Sequence, residues 1–528
     1  MRRTFVVVAV LVLAAIGGLG LLYPAVLLSL VVVVPLVALG VWDMLQRQHA
    51  VLRNFPLIGH FRYLFEAIRP EISQYFIETD WSGMPFNREQ RSVVYRRAKE
   101  VRDTIPFGTL RDLYAPGYEW VNHSIRPTHV DWQSLRVSIG GRDCRQPYSA
   151  SLLNVSAMSF GSLSSAAVTA LNRGAHMGGF AHNTGEGGIS PYHLEGGDLI
   201  WQLGTGYFGA RDAEGRFSAE RFSEQAARPA VRMVEVKLSQ GAKPGHGGIL
   251  PAAKLTPEIA AIRGVPLGRD VLSPPGHSAF STPIELLEFV ARLRELSGGK
   301  PIGIKLCVGK RREFLAICKA AVKTGIAPDY VAVDGGEGGT GAAPVEFANH
   351  IGTPLVEGVI FVHNALVGFG LRSEIRVLAS GKIVSGFDLI KRLALGADAG
   401  CSARAMMLAL GCIQALRCNS NHCPVGVATQ NPELVAGLVP SDKARRVAAY
   451  HRELLESVAE ILGAMGMSGS GELRPWHVMR RTGPDEVHHY GEIHEFLEEG
   501  ALLGAALPRS FARASEAASP ETFEHRAG

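Results

Sequence analysis

IGIKLCVGKRREFLAICKAAVKTGIAPDYVAVDGG, residues 302–336, reads as strand, glycine turn, helix, strand and glycine loop. IGIKLCV is a near-continuous apolar run, which suits a strand buried on both faces. REFLAICKAAVKTG repeats its apolar residues at helical spacing and stops at Gly325. DYVAVDGG returns to the buried-strand pattern and opens into glycines. Such a unit implies two parallel strands joined by a crossover helix.

The alternation continues on both sides. LLNVSAM (152–158) precedes the Ala-rich SLSSAAVTALNRGAHM (162–177), and VRMVEVKL (231–238) leads into a glycine-rich loop. TPIELLEFVARLRELS (282–297) is amphipathic. Downstream, PLVEGVIFVHNALVGFG, IRVLASG (375–381), FDLIKRLALG and ADAGCSARAMM (397–407) carry the series on. A doubly wound dinucleotide sheet would need Gly-x-Gly-x-x-Gly after its first strand, and the SFGSLSS found there does not fit. Functional-looking loops follow nearly every strand, as they do when all βα loops share one face. The expected fold is an α/β (β/α)8 TIM-type barrel over 151–480, with a connector and helical extension over 46–150 and a peripheral tail over 481–528.

Residues 1–45 differ in kind. No charge occurs from Thr4 to Trp42. As one helix that stretch would be roughly 58 Å long, nearly twice a hydrocarbon core of about 30 Å. Two passes fit better, with the reversal at Tyr23-Pro24 and Pro35 inside the second pass. Arg2 and Arg3 before the hairpin, and Arg47 and Arg53 after it, put both flanks on the cytoplasmic side. The expectation is a transmembrane hairpin in the inner or plasma membrane with the remainder facing the cytoplasm. A cleaved leader ending near AAIGG is the competing reading.

The net charge of +5 is mild and spread out, so no nucleic-acid partner is expected. One dense basic run, Arg88, Arg91, Arg96, Arg97, Lys99 and Arg102, falls on an expected helix and reads as a solvated face or a headgroup contact. The seven cysteines lack the pairing of a disulfide scaffold, which favours a reducing compartment. Three of them, Cys412, Cys418 and Cys423, lie in GCIQALRCNSNHCPVGVATQ (411–430). Soft thiolates at that spacing, with proline after the last, suit an iron–sulfur cluster. With His422 as a fourth ligand zinc stays open, as do structural thiols.

DGGEGGTGAA (334–343) offers backbone N–H groups without bulk, suited to a flat ring or a phosphate. SGKIVSG (380–386), the helix start near Gly386 and SARA (402–405) form an expected phosphate cradle, with FMN the simplest occupant beside an electron-carrying cluster. KLSQGAKPGHGG (237–248) gathers Lys237, Gln240, Lys243 and His246 at a strand end, and HNTGEGG (182–188) supplies Glu186. Lys305 ends an apolar strand, where a lysine without a task is rare.

Taken in order, SAMSFGSLS (156–164), HNTGEGG, KLSQGAKPGHGG, LSPPGHSAFST (272–282), GGTGAAP (338–344) and GC-x5-C-x4-CPVGVATQ resemble the FMN-binding synthase domain of the glutamate synthase large subunit. The resemblance implies FMN held by Met158, Ser159, Gln240, Lys305, Gly338, Gly339, Thr340, Gly341, Ser380 and Gly381, and a [3Fe-4S] cluster on Cys412, Cys418 and Cys423. It implies 2-oxoglutarate bound by Glu186, Lys243 and Arg263, with electrons passing from the cluster to FMN to reduce 2-iminoglutarate to L-glutamate. The family's glutaminase domain opens on a nucleophilic cysteine, whereas this sequence opens MRRTF. Ammonia is therefore expected to be free or partner-supplied. No dinucleotide fingerprint is found, so an external donor is expected, a ferredoxin or a reductase subunit. Two departures touch the substrate shell. The family's PGEGGQLP reads PGHGGILP, giving His246 and Ile249, and GEGGED reads GEGGIS, giving Ile189. They leave open another 2-oxo acid, imino acid or N-substituted amino acid as substrate. The hairpin leaves open a non-catalytic membrane electron-transfer subunit.

Overall fold

The computed structural model describes residues 1–101 and 104–524, so Arg102 of the basic run lies outside the described residues. The chain divides into two compact units, Met1–Glu89 and Gln90–Gly528.

In the first unit, α1 (Arg2–Leu22) and α2 (Leu30–Leu45) are joined by a tight helical turn over Pro24–Ser29. Each apolar segment is long enough to cross a bilayer, judged by length and composition. Gly40 of α2 leaves room for the Phe5 ring of α1, which lets the two helices lie close. A further helix, α3 (Gly59–Ile72), follows a connection that includes one short helical segment, Ala50–Asn54.

The second unit is built on a closed barrel of eight parallel strands: β1 (Leu153–Val155), β2 (His182–Asn183), β3 (Leu199–Leu203), β4 (Val231–Lys237), β5 (Ile302–Leu306), β6 (Tyr330–Asp334), β7 (Arg376–Ser380) and β8 (Ala399–Ser402). Closure comes from β8 against β1, with Gly400 opposite Leu153. The surrounding helices include α4 (Ser165–Gly178), α5 (Ala219–Ala226), α6 (Pro257–Arg263), α7 (Pro283–Leu296), α8 (Arg311–Thr324), α9 (Leu355–Gly368), α10 (Gly386–Ala394), α11 (Arg404–Leu410) and the long α12 (Pro440–Ala464). Sequence sets their ends. Thr282 and Glu285 form a reciprocal capping box on α7, and Gly179 ends α4 in the left-handed conformation.

Inside the barrel, Ile200, Met233, Tyr330, Leu378 and Ala399 form one core with Ile139 and Tyr148 of the hairpin Arg136–Ile139/Tyr148–Ser151, which closes the floor. Gly303 faces Tyr330 across β5 and β6 and yields the space its ring fills. The tail packs on the barrel helices, with Phe511 stacked on Phe361 at 5.6 Å. The basic helix spans Arg88–Ala98, and its Arg91 is buried rather than solvated.

Candidate active site at the barrel mouth

Strand register decides what meets at the mouth. Lys237 and Lys305 are direct partners on β4 and β5, and Asp334 faces Ser380 across β6 and β7. Two buried lysines side by side require carboxylates, and the loops supply them. Lys237 Nζ donates to Glu186 Oε1 at 2.8 Å and to Gln240 Oε1 at 3.1 Å. Lys305 Nζ lies 3.8 Å from Asp334 Oδ1. Burial alone would lower the Lys305 pKa, but Asp334 and Glu235 outweigh it and hold it above the ordinary lysine value.

Glu186 stands in a slot walled by glycine. A side chain at Gly204 or Gly248 would run into its carboxylate. Burial pushes the Glu186 pKa up, but Lys237, then Arg263 and Lys243, hold it below the usual carboxylate value. Burial pushes Lys243 down, with Glu186 opposing, and brings Arg263 down to about 10. One carboxylate therefore faces three cations, Lys237, Lys243 and Arg263, a surplus of two positive charges. Arg263 ends α6, donates to the Phe160 carbonyl at 3.0 Å and lies 5.2 Å over the Phe208 ring. Its Nε is buried without a partner, as is Gln240 Nε2. Buried donors without acceptors are rare in finished protein interiors, and here both border the charged cluster. An arrangement with spare cationic charge and spare donors can take up a ligand with two carboxylates.

The glycine-lined side is built by β6, β7 and β8. Gly241 N donates to Asp334 Oδ2 at 2.7 Å, and a side chain at Gly241 would overlap the Gly335 carbonyl. Ser156 and Ser380 share a hydrogen bond at 3.0 Å, which joins the β1 loop of Met158 and Ser159 to the Ser380-Gly381 turn. Gly338 lies just inside the rim, while Gly339, Thr340 and Gly341 are exposed at it. Arg404 lies against Gly339 and donates to the Glu337 carbonyl at 2.6 Å. Burial lowers the pKa of both Arg404 and Lys382, and the Arg404 charge lowers Lys382 further. Lys382 also holds a left-handed backbone, φ +46. Two cations thus flank the Ser380-Gly381 turn. Gly386 packs against Ser457 and Val458 of α12, and Ser385 with Asp388 forms a reciprocal capping box that takes up the Asp388 and Ser385 N–H groups.

The cysteine loop follows α11. Its VGVATQ tail is fastened to the β1 loop. Ser164 Oγ donates to the Gly426 carbonyl at 2.7 Å, and Gln430 Nε2 to the Leu163 carbonyl at 2.8 Å. Cys423 is buried, Cys412 and Cys418 are half-buried, and His422 is exposed. Burial, then the neighbouring Cys418 and Cys423, push the Cys412 thiol up to about 11. Lys254 Nζ donates to the Cys418 carbonyl at 3.2 Å. Among the described residues, no three His, Cys, Asp or Glu side chains converge closely enough to hold a metal ion.

Sequence reasoning missed several residues of this mouth as site members. Lys237 stood in a quoted motif, but its register partner Lys305 could be known only from the barrel. Lys382 and Arg404 lie inside SGKIVSG (380–386) and SARA (402–405), the expected phosphate cradle, but neither was singled out there. His277 hydrogen-bonds the Tyr207 hydroxyl at 2.9 Å and the Lys237 carbonyl at 2.8 Å, pinning LSPPGHSAFST to the mouth.

The family profile described as a conserved region in glutamate synthase matches residues 129–468. The glutamate synthase large subunit-like protein YerD of Bacillus subtilis (strain 168) is 37% identical over 86% of this chain and 94% of its own length. The archaeal-type glutamate synthase [NADPH] of Thermotoga sp. (strain RQ2) is 37% identical over 66% of this chain, which spans 64% of that relative. Among solved structures, a mandelate oxidase mutant with a monooxide FMN adduct covers 81% of this chain and 99% of its own, at 17% identity and a TM-score of 0.39. That chain path is too loosely similar to add to the barrel described above. On the profile and on the extent of its match to YerD, the chain belongs to the glutamate synthase family.

Proposed function

We propose that the protein is an FMN- and iron–sulfur-dependent oxidoreductase that makes L-glutamate from 2-oxoglutarate and ammonia. The observation that carries this reading is the mouth's surplus of two positive charges around Glu186, bordered by an unpartnered buried donor on Arg263. A 2-oxo dicarboxylate supplies the missing anions. Lys243 and Arg263 bind its carboxylates, and Lys237 holds Glu186 ionised beside the 2-position. Ammonia and the ketone give 2-iminoglutarate and water, and two electrons with two protons complete L-glutamate.

The residues present suit FMN. Gly241, Gly335 and Gly338 let the βα loops pack backbone against backbone at the mouth, and Gln240 Nε2 is a buried donor that needs an acceptor. Gln240 and Lys305 would address the ring, with the Met158-Ser159 loop along one side. Ser380, Gly381, Lys382 and Arg404 would hold the phosphate. FMN, when bound, supplies the hydride.

The cysteine donor set suits a sulfur-ligated iron cluster. The three thiols share one loop of twelve positions, Cys412 to Cys423. Their loop also holds Gln414, Leu416 and Asn421, none of them glycine, in left-handed backbone at φ +57, +55 and +62. Such strain persists where something else fixes the loop. Electrons would enter there from an external donor, a ferredoxin or a reductase subunit. The two apolar helices would anchor the enzyme in the inner or plasma membrane, with the barrel facing the cytoplasm.

The test uses the full chain, purified without air. Visible and electron paramagnetic resonance spectra report flavin and iron. Photoreduced enzyme is then offered 2-oxoglutarate and other 2-oxo acids with ammonia, and amino-acid products are separated. Glutamate as the fastest product supports the reading. A faster product from another 2-oxo acid replaces the substrate and leaves the redox core standing. Ile249 favours that second reading, because it follows Gly248, whose backbone abuts the Glu186 carboxylate, and offers no hydrogen bond there. A preparation without flavin or iron after reconstitution defeats both.

A further inference from the structure

The proposed reaction leaves α3 unused. Its Phe61, Leu64, Phe65, Ile68 and Ile72 stand at i, i+3, i+4, i+7 and i+11, an arc of about 100° on a helix. All five are open to solvent, at 58, 52, 60, 38 and 37%. Phe61 and Phe65 stack at 6.4 Å, so the ridge is continuous. Arg62 and Arg69 border the arc, and Glu66, 3.0 Å from Arg62, lies on the polar side. A water-facing helix rarely carries so much contiguous apolar surface without something to cover it. At 14 residues the helix is about 21 Å long, too short to span a bilayer.

The start of α3 is fixed to the end of α2. Asp43, almost wholly buried near the end of α2, accepts a hydrogen bond from Leu57 N at 3.0 Å and lies 2.9 Å from His60 Nε2. Leu57 takes φ +61, a conformation leucine rarely adopts, so the corner is specified and not a slack linker. An amphipathic helix is thus fastened to the end of an apolar helix in the same compact unit.

We propose that α3 lies in the lipid–water boundary, its Phe61–Ile72 face among acyl chains and its arginines at the headgroups, with Asp43 and His60 as the clasp that sets its level. The inference rests on α1 and α2 being membrane-spanning. Lipid is favoured over a protein partner because the exposed apolar face is fastened, through Asp43, to the end of an exposed apolar helix. The bordering Arg62 and Arg69, with Arg47 and Arg53 nearby, also complement anionic headgroups.

The test places the full chain in phosphatidylcholine–phosphatidylglycerol vesicles carrying a photoreactive diazirine on the acyl chain, and maps lipid adducts by peptide mass spectrometry. Adducts are expected on residues 2–45 and also on Phe61, Phe65, Ile68 or Ile72. Adducts on 2–45 alone overturn the inference and leave the anchor intact. Absence from both overturns the anchor reading and this one with it. In a chain carrying a diazirine amino acid in place of Phe65, copy-to-copy cross-links without lipid adducts would assign the face to a second molecule and overturn it too. In a Phe61→Ser/Phe65→Ser chain the 59–72 adducts should be lost and the 2–45 adducts retained. Unchanged 59–72 adducts would refute the assigned face.

Discussion

The two ends of the barrel each bury a carboxylate against a cation, and they do so to opposite purposes. At the floor, Asp329 accepts from Gly141 N at 2.7 Å, from Ile302 N at 2.7 Å and from Arg294 at 3.0 Å, and Arg294 also donates to the Ala327 carbonyl at 2.6 Å. The groups that pair there close on one another, tying α7 to the strands. At the mouth, Glu186 is outnumbered by cations, and donors on Gln240 and Arg263 are left over. A network that closes on itself is a joint. A network with surplus charge and surplus donors, held rigid by glycine-walled contacts, is a site awaiting a ligand.

Breaking the floor should cost the most. Asp329→Ala strands a buried guanidinium and two backbone N–H groups, and is expected to lower unfolding free energy by about 3–5 kcal/mol in urea titration. Whatever folds should retain its turnover per flavin. Lys243→Met at the mouth should do the reverse. Product formation from the proposed substrate should fall by about 10²–10³-fold, roughly 2.7–4 kcal/mol, through loss of a preorganised cation. Its melting temperature should hold or rise, since burial already disfavours the Lys243 charge. If Lys243→Met unfolds the chain and Asp329→Ala leaves it stable, the contrast between the two ends is wrong.

Acid separates the ends more gently. His182 and His451 are fully buried with pKa values brought down to about 3, and His363 is brought to about 4, in each case first by burial. Each stays neutral in the folded chain and takes up a proton on unfolding below about pH 6.5. The unfolded state thus binds more protons, and stability is lost as pH falls from about 6.5 towards the folded values. The slope is about 1.4 kcal/mol per pH unit for each histidine. Glu186, whose pKa is held below the usual value, keeps its charge across that window. Urea titrations at pH 7.5, 6.5 and 5.5 should therefore show a falling midpoint, with a shallower fall in His451→Gln. An equal fall in that variant would remove His451 from the account.

Six of the eight strands were legible because burial on both faces writes a continuous apolar run, as in Ile302–Leu306 and Tyr330–Asp334. β2 was not, because His182-Asn183 is two polar residues whose strand character comes from its neighbours. β3 (LIWQL) is as long as β5 but lies hidden between glycine loops. At the site, glycine spacing revealed where the backbone must approach closely, and it led to Glu186 and Gln240. Pairing was not legible. That Lys237 and Lys305 are register partners, or that Arg404 lies against Gly339, follows from barrel stagger, which no local pattern encodes. Gly386 carries a demand that no local pattern shows, because its missing side chain also makes room for Ser457 and Val458 of α12.

The smallest effect tests the mouth at its weakest point. Ile249 pairs with Leu272 in a two-residue ladder, directly after the glycine that abuts Glu186. Ile249→Gln restores the amide that the resemblance leads one to expect there. A typical net hydrogen bond is worth about 0.5–1.5 kcal/mol, so KM for 2-oxoglutarate should drop by at least roughly 2–10-fold with kcat unchanged. Its size follows from what the amide replaces, because an isoleucine already fills the volume and only the polar contact is gained. If the native substrate carries an apolar group at that end, the same change moves KM the other way. Adding a polar group would then leave its amide unpaired against that substrate, and the preference for 2-oxoglutarate over an apolar 2-oxo acid would invert between the two chains. Measuring KM for both acids on both chains separates these outcomes. A variant indifferent to either acid would place Ile249 outside the substrate's reach and leave specificity to Glu186, Lys243 and Arg263.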